Sequence, residues 1–156
     1  MDISLFKILR RLAYLIVISV FAFIELGKGS ARRTFEFFTY NTGHSVVEDR
    51  VLLKADSSEL NLRYYVEEAL LGPVSLDFAP LLNEGSQLRS LMLREKTVYV
   101  DLSGEAALPV QGGAEVFDGL LALNRGIRRN FDTVSDVKLF INGNEVFFEE
   151  FREIFG

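Results

Sequence analysis

The 156-residue chain has no cysteine and one histidine, His44. Without cysteine there is no disulfide, no thiolate metal site, no cysteine nucleophile and no lipid attached through an N-terminal cysteine. A single histidine excludes any site that needs two. His44 follows Gly43 in an expected loop with no visible partner for metal or base chemistry, which makes it a surface residue. Ser75, Ser86, Ser90, Ser103 and Ser135 lack a Gly-x-Ser-x-Gly setting, so no hydrolase triad is expected. Basic residues are the minority, 17 against 22 acidic, for a net charge of −5. General nucleic-acid binding, which depends on Lys and Arg neutralising phosphates, is therefore not expected. What the chain does have is apolar bulk: 49% of its residues are hydrophobic and 14 are Phe, enough to fill the core of one domain.

Lys7, Arg10 and Arg11 precede an apolar run from Leu12 to Ile24, closed by Glu25, Gly27, Lys28, Gly29 and Ser30. A basic head, an apolar stretch and a small polar exit have the form of an export signal. The run is shorter than the ~20 residues of a spanning helix. A buried core helix is the plain alternative, but such a helix rarely lacks a polar face over this length. Residues 1–31 thus read either as a signal peptide cut near Gly29, Ser30 and Ala31 or as an uncleaved N-terminal membrane anchor. Arg32 and Arg33 follow the cleavage candidate directly, and with Lys28 they nearly cancel the positive-inside asymmetry. Residues 32–156 form a single domain, expected on the extracytoplasmic side (periplasmic or cell surface) and anchored to the inner membrane. From residue 32 onward 13 basic residues face 20 acidic ones, a net of −7. That charge favours solubility and disfavours adhesion to an anionic bilayer surface.

The rest alternates strand and helix signals. Residues 34–40 are β-branched and aromatic, with a turn at 41–43 and a strand partner at 45–53. Asp56, Ser57 and Ser58 are N-cap candidates for a helix whose apolar stripe is Leu62, Val66, Ala69 and Leu70. Gly72 and Pro73 stop it. Residues 76–84 read as an irregular segment covering a sheet edge or helix end. Residues 87–93 and 97–102 make a hairpin about Arg94, Glu95 and Lys96, and 103–113 is the most loop-like stretch. A second helix at 114–130 has Val116, Phe117, Leu120, Leu121, Asn124 and Ile127 at helical spacing. A strand at 134–141 turns at Asn142-Gly143 into 145–148. Residues 149–156 suit a short amphipathic turn with Phe151 and Phe155 against the core. The expected fold is α+β: a mixed, mostly antiparallel sheet with two helices packed on one face, in the order β-β-α-β-β-α-β-β, preceded by the N-terminal hydrophobic helix.

Several segments in this order resemble the GerMN domain family of bacterial extracytoplasmic proteins. Val66 to Pro73 is similar to the family's helix ending in Leu-x-Gly-Pro, here Leu71, Gly72 and Pro73. Leu81, Leu82, the Gly85 turn and the strand from Thr97 through Val100 to Ser103 follow. Val134 and Val137 to Gly143 resemble the terminal strand and turn. With a weaker opening the resemblance covers residues 34–147. It implies a non-catalytic interaction module, often carried on a signal peptide or membrane anchor, and no cofactor. The best-known members look like ring-building domains of an envelope-spanning sporulation apparatus, and others are fused to amidase or lipoprotein modules. This chain departs in lacking the lipid-attachment Cys, in having one copy where some members have two, and in a hairpin turn without Gly.

Candidate site residues are few. Arg125, Arg128 and Arg129 share a helical face near a C-terminus, where cations offset the dipole and where an acidic partner, or another copy, could dock. Glu145, Glu149, Glu150 and Glu153 are an acidic complement for a head-to-tail contact. A second group is Tyr99, Asp101, Ser103, Gly104, Gly112 and Gly113, where glycines would let a small ligand or cell-wall glycan approach the backbone. Asp101 more simply ends its strand by bonding the backbone N–H of Ser103 or Gly104. The adjacent pairs Glu67-Glu68 and Glu149-Glu150 point about 100° apart on a helix and form no acid/base dyad. Neither catalytic residues nor metal ligands are expected. The leading expectation is an envelope interaction module that binds a partner protein or itself. The alternative is a ligand- or envelope-polymer-binding accessory domain, and an enzyme built on Asp101 and Tyr99 is a distant third.

Overall fold

The computed structural model describes residues 10–20, 29–40 and 42–148. The strands are β1 (Ser30–Thr39), β2 (Ser45–Leu53), β3 (Phe78–Ala79), β4 (Leu88–Arg94), β5 (Thr97–Leu102), β6 (Asp136–Ile141) and β7 (Asn144–Glu145). Helix α1 spans Ser58–Leu70 and α2 spans Val116–Asn130, and a 3₁₀ turn occupies Gly104–Ala107. The fold is α+β and mostly antiparallel, as the sequence implies. Its strands divide into two sheets, ordered β2-β1-β3 and β4-β5-β6-β7, where one sheet was expected. The single parallel pairing among the described residues, β5 with β6, is bridged by α2. Residues 10–20 are helical and exposed throughout. The turn residue Asn41 and the expected amphipathic turn with Phe151 and Phe155 lie outside the described residues.

Local chemistry accounts for the elements. Ser57 caps α1, its hydroxyl accepting from the Leu60 N–H at 3.4 Å. Gly72, at φ +86°, takes the left-handed position that follows the helix. Asn142 and Gly143 both have positive φ, the pairing a tight hairpin turn needs. The irregular segment carries β3, which pairs with the end of β1 through Phe38↔Ala79 and so covers a sheet edge. The loop after β5 is partly ordered, and its 3₁₀ turn buries Ala106.

β1 is the centre of the molecule. Phe35, Glu36, Phe37 and Phe38 are all buried, so both of its faces are covered. Tyr65 of α1 stacks on Phe35 with centroids 4.6 Å apart and meets the edge of Phe131 at 5.6 Å. Its hydroxyl donates to the Thr34 carbonyl at 3.1 Å, and burial pushes its pKa up. Asn130 completes the ladder that β3 leaves open: its side chain accepts from Thr34 N–H at 2.9 Å and donates to Thr34 C=O at 2.7 Å. The stripe of α2 differs from its expected positions. Gly119, Leu120, Ala122, Leu123, Gly126 and Ile127 are buried, while Leu121 and Asn124 are only half-buried. Close approach is the reason: a Cβ at Gly119 would lie 1.9 Å from the Leu81 carbonyl oxygen, and one at Gly126 would lie 2.3 Å from the Tyr65 hydroxyl. The Leu81 backbone therefore passes directly against α2 at Gly119, with the Leu82 side chain beside it.

A clamped apolar turn as the candidate interaction surface

On β2, Val46, Glu48, Arg50 and Leu52 fall on the strand face turned toward the core. A cation on an apolar face needs partners, and Arg50 has a full set. Its Nε donates to Glu48 Oε1 at 2.6 Å, Nη1 to Glu68 Oε1 at 2.8 Å, and Nη2 to the Gly72 carbonyl at 2.7 Å. Its guanidinium lies over the rings of Phe35 and Phe37, 5.1 and 5.4 Å from their centroids. The Arg50 side chain is 10% exposed. Removing one partner from a buried, hydrogen-bonded ion pair costs about 3–5 kcal/mol. Glu48 also accepts from the Val74 N–H, at 3.2 and 3.3 Å to its two oxygens. Arg50 and Glu48 thus fix both sides of the turn that contains Leu71, Gly72 and Pro73.

That turn presents bare hydrocarbon. Leu71 is 80% exposed, Val74 76% and Leu76 94%. Covering a Leu or Val side chain is worth about 1.5–3 kcal/mol, so three of them on and beside a braced turn make an exposed apolar patch. Beside it lies a cleft of about 700 Å³ lined by Tyr40, Leu71, Pro73, Leu76, Phe78 and Leu88 among others.

The arginine face is divided. Arg125 forms a two-pronged pair with the buried Glu36, Nη2 to Oε1 at 2.6 Å and Nε to Oε2 at 3.3 Å, and Ser45 donates to Glu36 Oε1 at 2.8 Å. Burial acts to raise the Glu36 pKa. The bonds from Arg125 and Ser45 and the charges of Arg125 and Arg129 outweigh it, leaving the carboxyl below its usual value. Arg128 and Arg129 are exposed and make no ion pair among the described residues. Glu145 is paired with Lys138 at 3.2 Å, while Glu149, Glu150 and Glu153 lie outside the described residues.

The second expected group does not converge. Tyr99 stacks with Phe140 at 6.5 Å. Asp101 accepts from the Gly143 N–H at 2.9 Å and pairs with Arg89 at 3.3 Å, so it ties β5 to the β6–β7 turn and does not bond the backbone of Ser103 or Gly104. Ser103 accepts from the Gln87 N–H at 3.0 Å, and Gly104 sits against the Asn142 side chain. Gly112 and Gly113 lie elsewhere, against Tyr40 and against Val110 and Ala79. Val100 is fully buried in the core. His44 is exposed, and its carbonyl accepts from the Thr39 N–H at 2.9 Å. Among the described residues no group of three or more His, Asp or Glu is placed to hold a metal ion.

The fold is shared with solved proteins. The tandem GerMN domains of the sporulation protein GerM from Bacillus subtilis align with 74% of this chain at 13% identity and a TM-score of 0.54, and this chain spans 40% of theirs. The first GerMN domain of the same protein aligns with 72% of this chain, covering 85% of its own length, at 19% identity and a TM-score of 0.48. A candidate lipoprotein from Clostridium perfringens aligns with 78% of this chain, covering 79% of its own length, at 18% identity and a TM-score of 0.49. No curated protein matches the sequence. The profile of the Germane family, described as sporulation and spore germination, matches residues 37–147. With more than two thirds of its length inside that match, the chain belongs to the Germane family and carries a GerMN-like domain.

Proposed function

We propose that this protein is a non-catalytic, extracytoplasmic module of the bacterial cell envelope, held to the membrane by its N-terminal segment, that binds a partner protein through the turn at residues 71–76. The observation that carries this reading is the bracing of that turn. A partly buried ion network braces the turn from Gly72 to Val74, and Leu71, Val74 and Leu76 stand exposed on and beside it, an arrangement costly to keep unless something covers it. The N-terminal segment supports the location. In helical residues 10–20, Leu12, Tyr14, Leu15, Ile16, Val17, Ile18 and Val20 are each 50–63% exposed, so the helix is apolar around its circumference and unburied by the domain. Among the described residues no helix is long and apolar enough to cross a membrane. The run from Leu12 to Ile24 suits a signal or anchor whose remaining length lies outside them.

The test is site-specific photo-cross-linking in intact cells. A photoreactive residue at Leu76 or Leu71 is compared with one at Lys96, in the β4–β5 turn, followed by mass spectrometry of the adducts. A dominant envelope protein captured from 71 and 76 but not from 96 is the expected result. Equal or absent adducts at all three positions overturn the proposal.

A further inference from the structure

Apolarity alone does not explain the cleft beside this turn. Ser86 lines it and is 7% exposed, and its hydroxyl has no hydrogen-bond partner among the described residues. The charged residues lining the cleft are Glu67 and Glu84, both acidic. Glu67 has a loose partner in Arg63 at 3.6 Å, whereas Glu84 is exposed and has none among the described residues. Helix α1 also ends here, its last turn without a basic side chain. Arg50 answers the carbonyls of Glu68 and Gly72, but no donor among the described residues reaches those of Leu70 and Leu71. A helix C-terminus carries partial negative charge and favours cations.

We infer that the cleft receives a peptide segment of a partner protein in which a Lys or Arg is flanked by large apolar side chains. This rests on the reading of the chain as an interaction module. The apolar side chains cover Leu71, Leu76 and Phe78. The cationic head sits between Glu84 and the end of α1. β3 itself is closed to strand addition, because the Phe78 N–H donates to the Ser75 carbonyl at 3.3 Å and Ala79 is fully buried, so the segment binds through its side chains. Apolar lining selects hydrocarbon, and the two carboxylates with the helix end select the sign of the charge beside it.

The experiment uses the full ¹⁵N-labelled chain in nanodiscs, titrated with the capped peptide Val-Leu-Lys-Phe-Val and its Lys→Gln and Lys→Glu versions. The Lys peptide is expected to move the amide signals of Gly72, Leu76, Ser86 and Gln87, with affinity about tenfold above the Gln peptide. Glu84→Gln should shrink that preference and Glu84→Lys should reverse it; neither change removes a contact within the fold. Equal binding of the three peptides, signals that move outside the cleft, or no binding at all overturns the inference. If cells still yield the Leu76 adduct in that case, the interaction module stands and only the chemistry assigned to its partner falls. Loss of both removes the module reading as well.

Discussion

Glu36 and Arg125 show what a single residue's neighbours decide. Helical spacing makes Arg125, Arg128 and Arg129 legible as one face. It cannot show that Arg125 is occupied, because its partner lies 89 residues away on β1. Arg50 was missed, although a signal for it exists: Glu48 and Arg50 stand on the same strand face as Val46 and Leu52, and charge on an apolar face implies buried partners. The Glu36 pair gives an acid-stability prediction. Its carboxyl titrates below the ordinary 4.5 in the folded protein, so its stabilising contribution is complete above that value. The contribution is lost as pH falls through the folded-state pKa. Chemical denaturation of the wild type and of Glu36→Gln between pH 7 and pH 3 measures it. The variant should start less stable at pH 7 and lose less stability on acidification, so the two curves converge. Parallel curves would mean that folding does not lower the Glu36 pKa.

At the scale of the element, α1 was readable because its ends are written in local chemistry: a serine cap, then glycine and proline. Its buried face was less so. Tyr65 carries a hydroxyl at its tip and lies one position off the aliphatic stripe, yet it anchors the helix to β1. The corresponding gap in α2 is its pair of glycines, which read as neutral positions in an apolar stripe. Gly119 and Gly126, seven residues apart and so on one face, are where the helix touches its neighbours most closely. Gly126→Ala should destabilise the fold by about 1–3 kcal/mol, the usual range for overpacking, despite alanine's better helix propensity. The clash is with the Tyr65 hydroxyl, and the next ring atom is already 3.4 Å away. Tyr65→Phe alone should cost about 1 kcal/mol for its hydrogen bond to Thr34. In the double variant the phenylalanine removes the clashing atom, so the combined loss should fall below the sum of the singles. A urea-denaturation cycle on the four proteins reads this directly, and strict additivity would rule out the contact.

Whole-molecule arrangement was the least legible. Hairpins β1–β2 and β4–β5 are local pairings, closed by short turns that the sequence marks. Which hairpin joins which sheet depends on contacts such as Phe38↔Ala79 and Val100↔Leu139, and no turn residue encodes those. The junction with the N-terminal segment is a case where topology sharpens a question that composition left open. β1 begins at Ser30, which pairs with Leu53, and the Lys54 N–H donates to the Gly29 carbonyl at 2.8 Å. Cleavage after Ala31 would remove that bond and the first two ladder pairs. It would also leave the backbone of Leu52 and Leu53 without the strand that now pairs with it. The anchored form proposed above keeps this ladder whole. Intact mass of the protein recovered from cells should equal that of the uncleaved chain, and the protein should stay in the membrane fraction through a high-salt wash. Salt matters to the logic because residues 32–156 carry a net −7 and have no electrostatic reason to adhere to an anionic bilayer. Retention through salt then reports the apolar segment, whereas a mass lower by the length of that segment, with the protein in the soluble fraction, would make residues 1–31 a signal peptide.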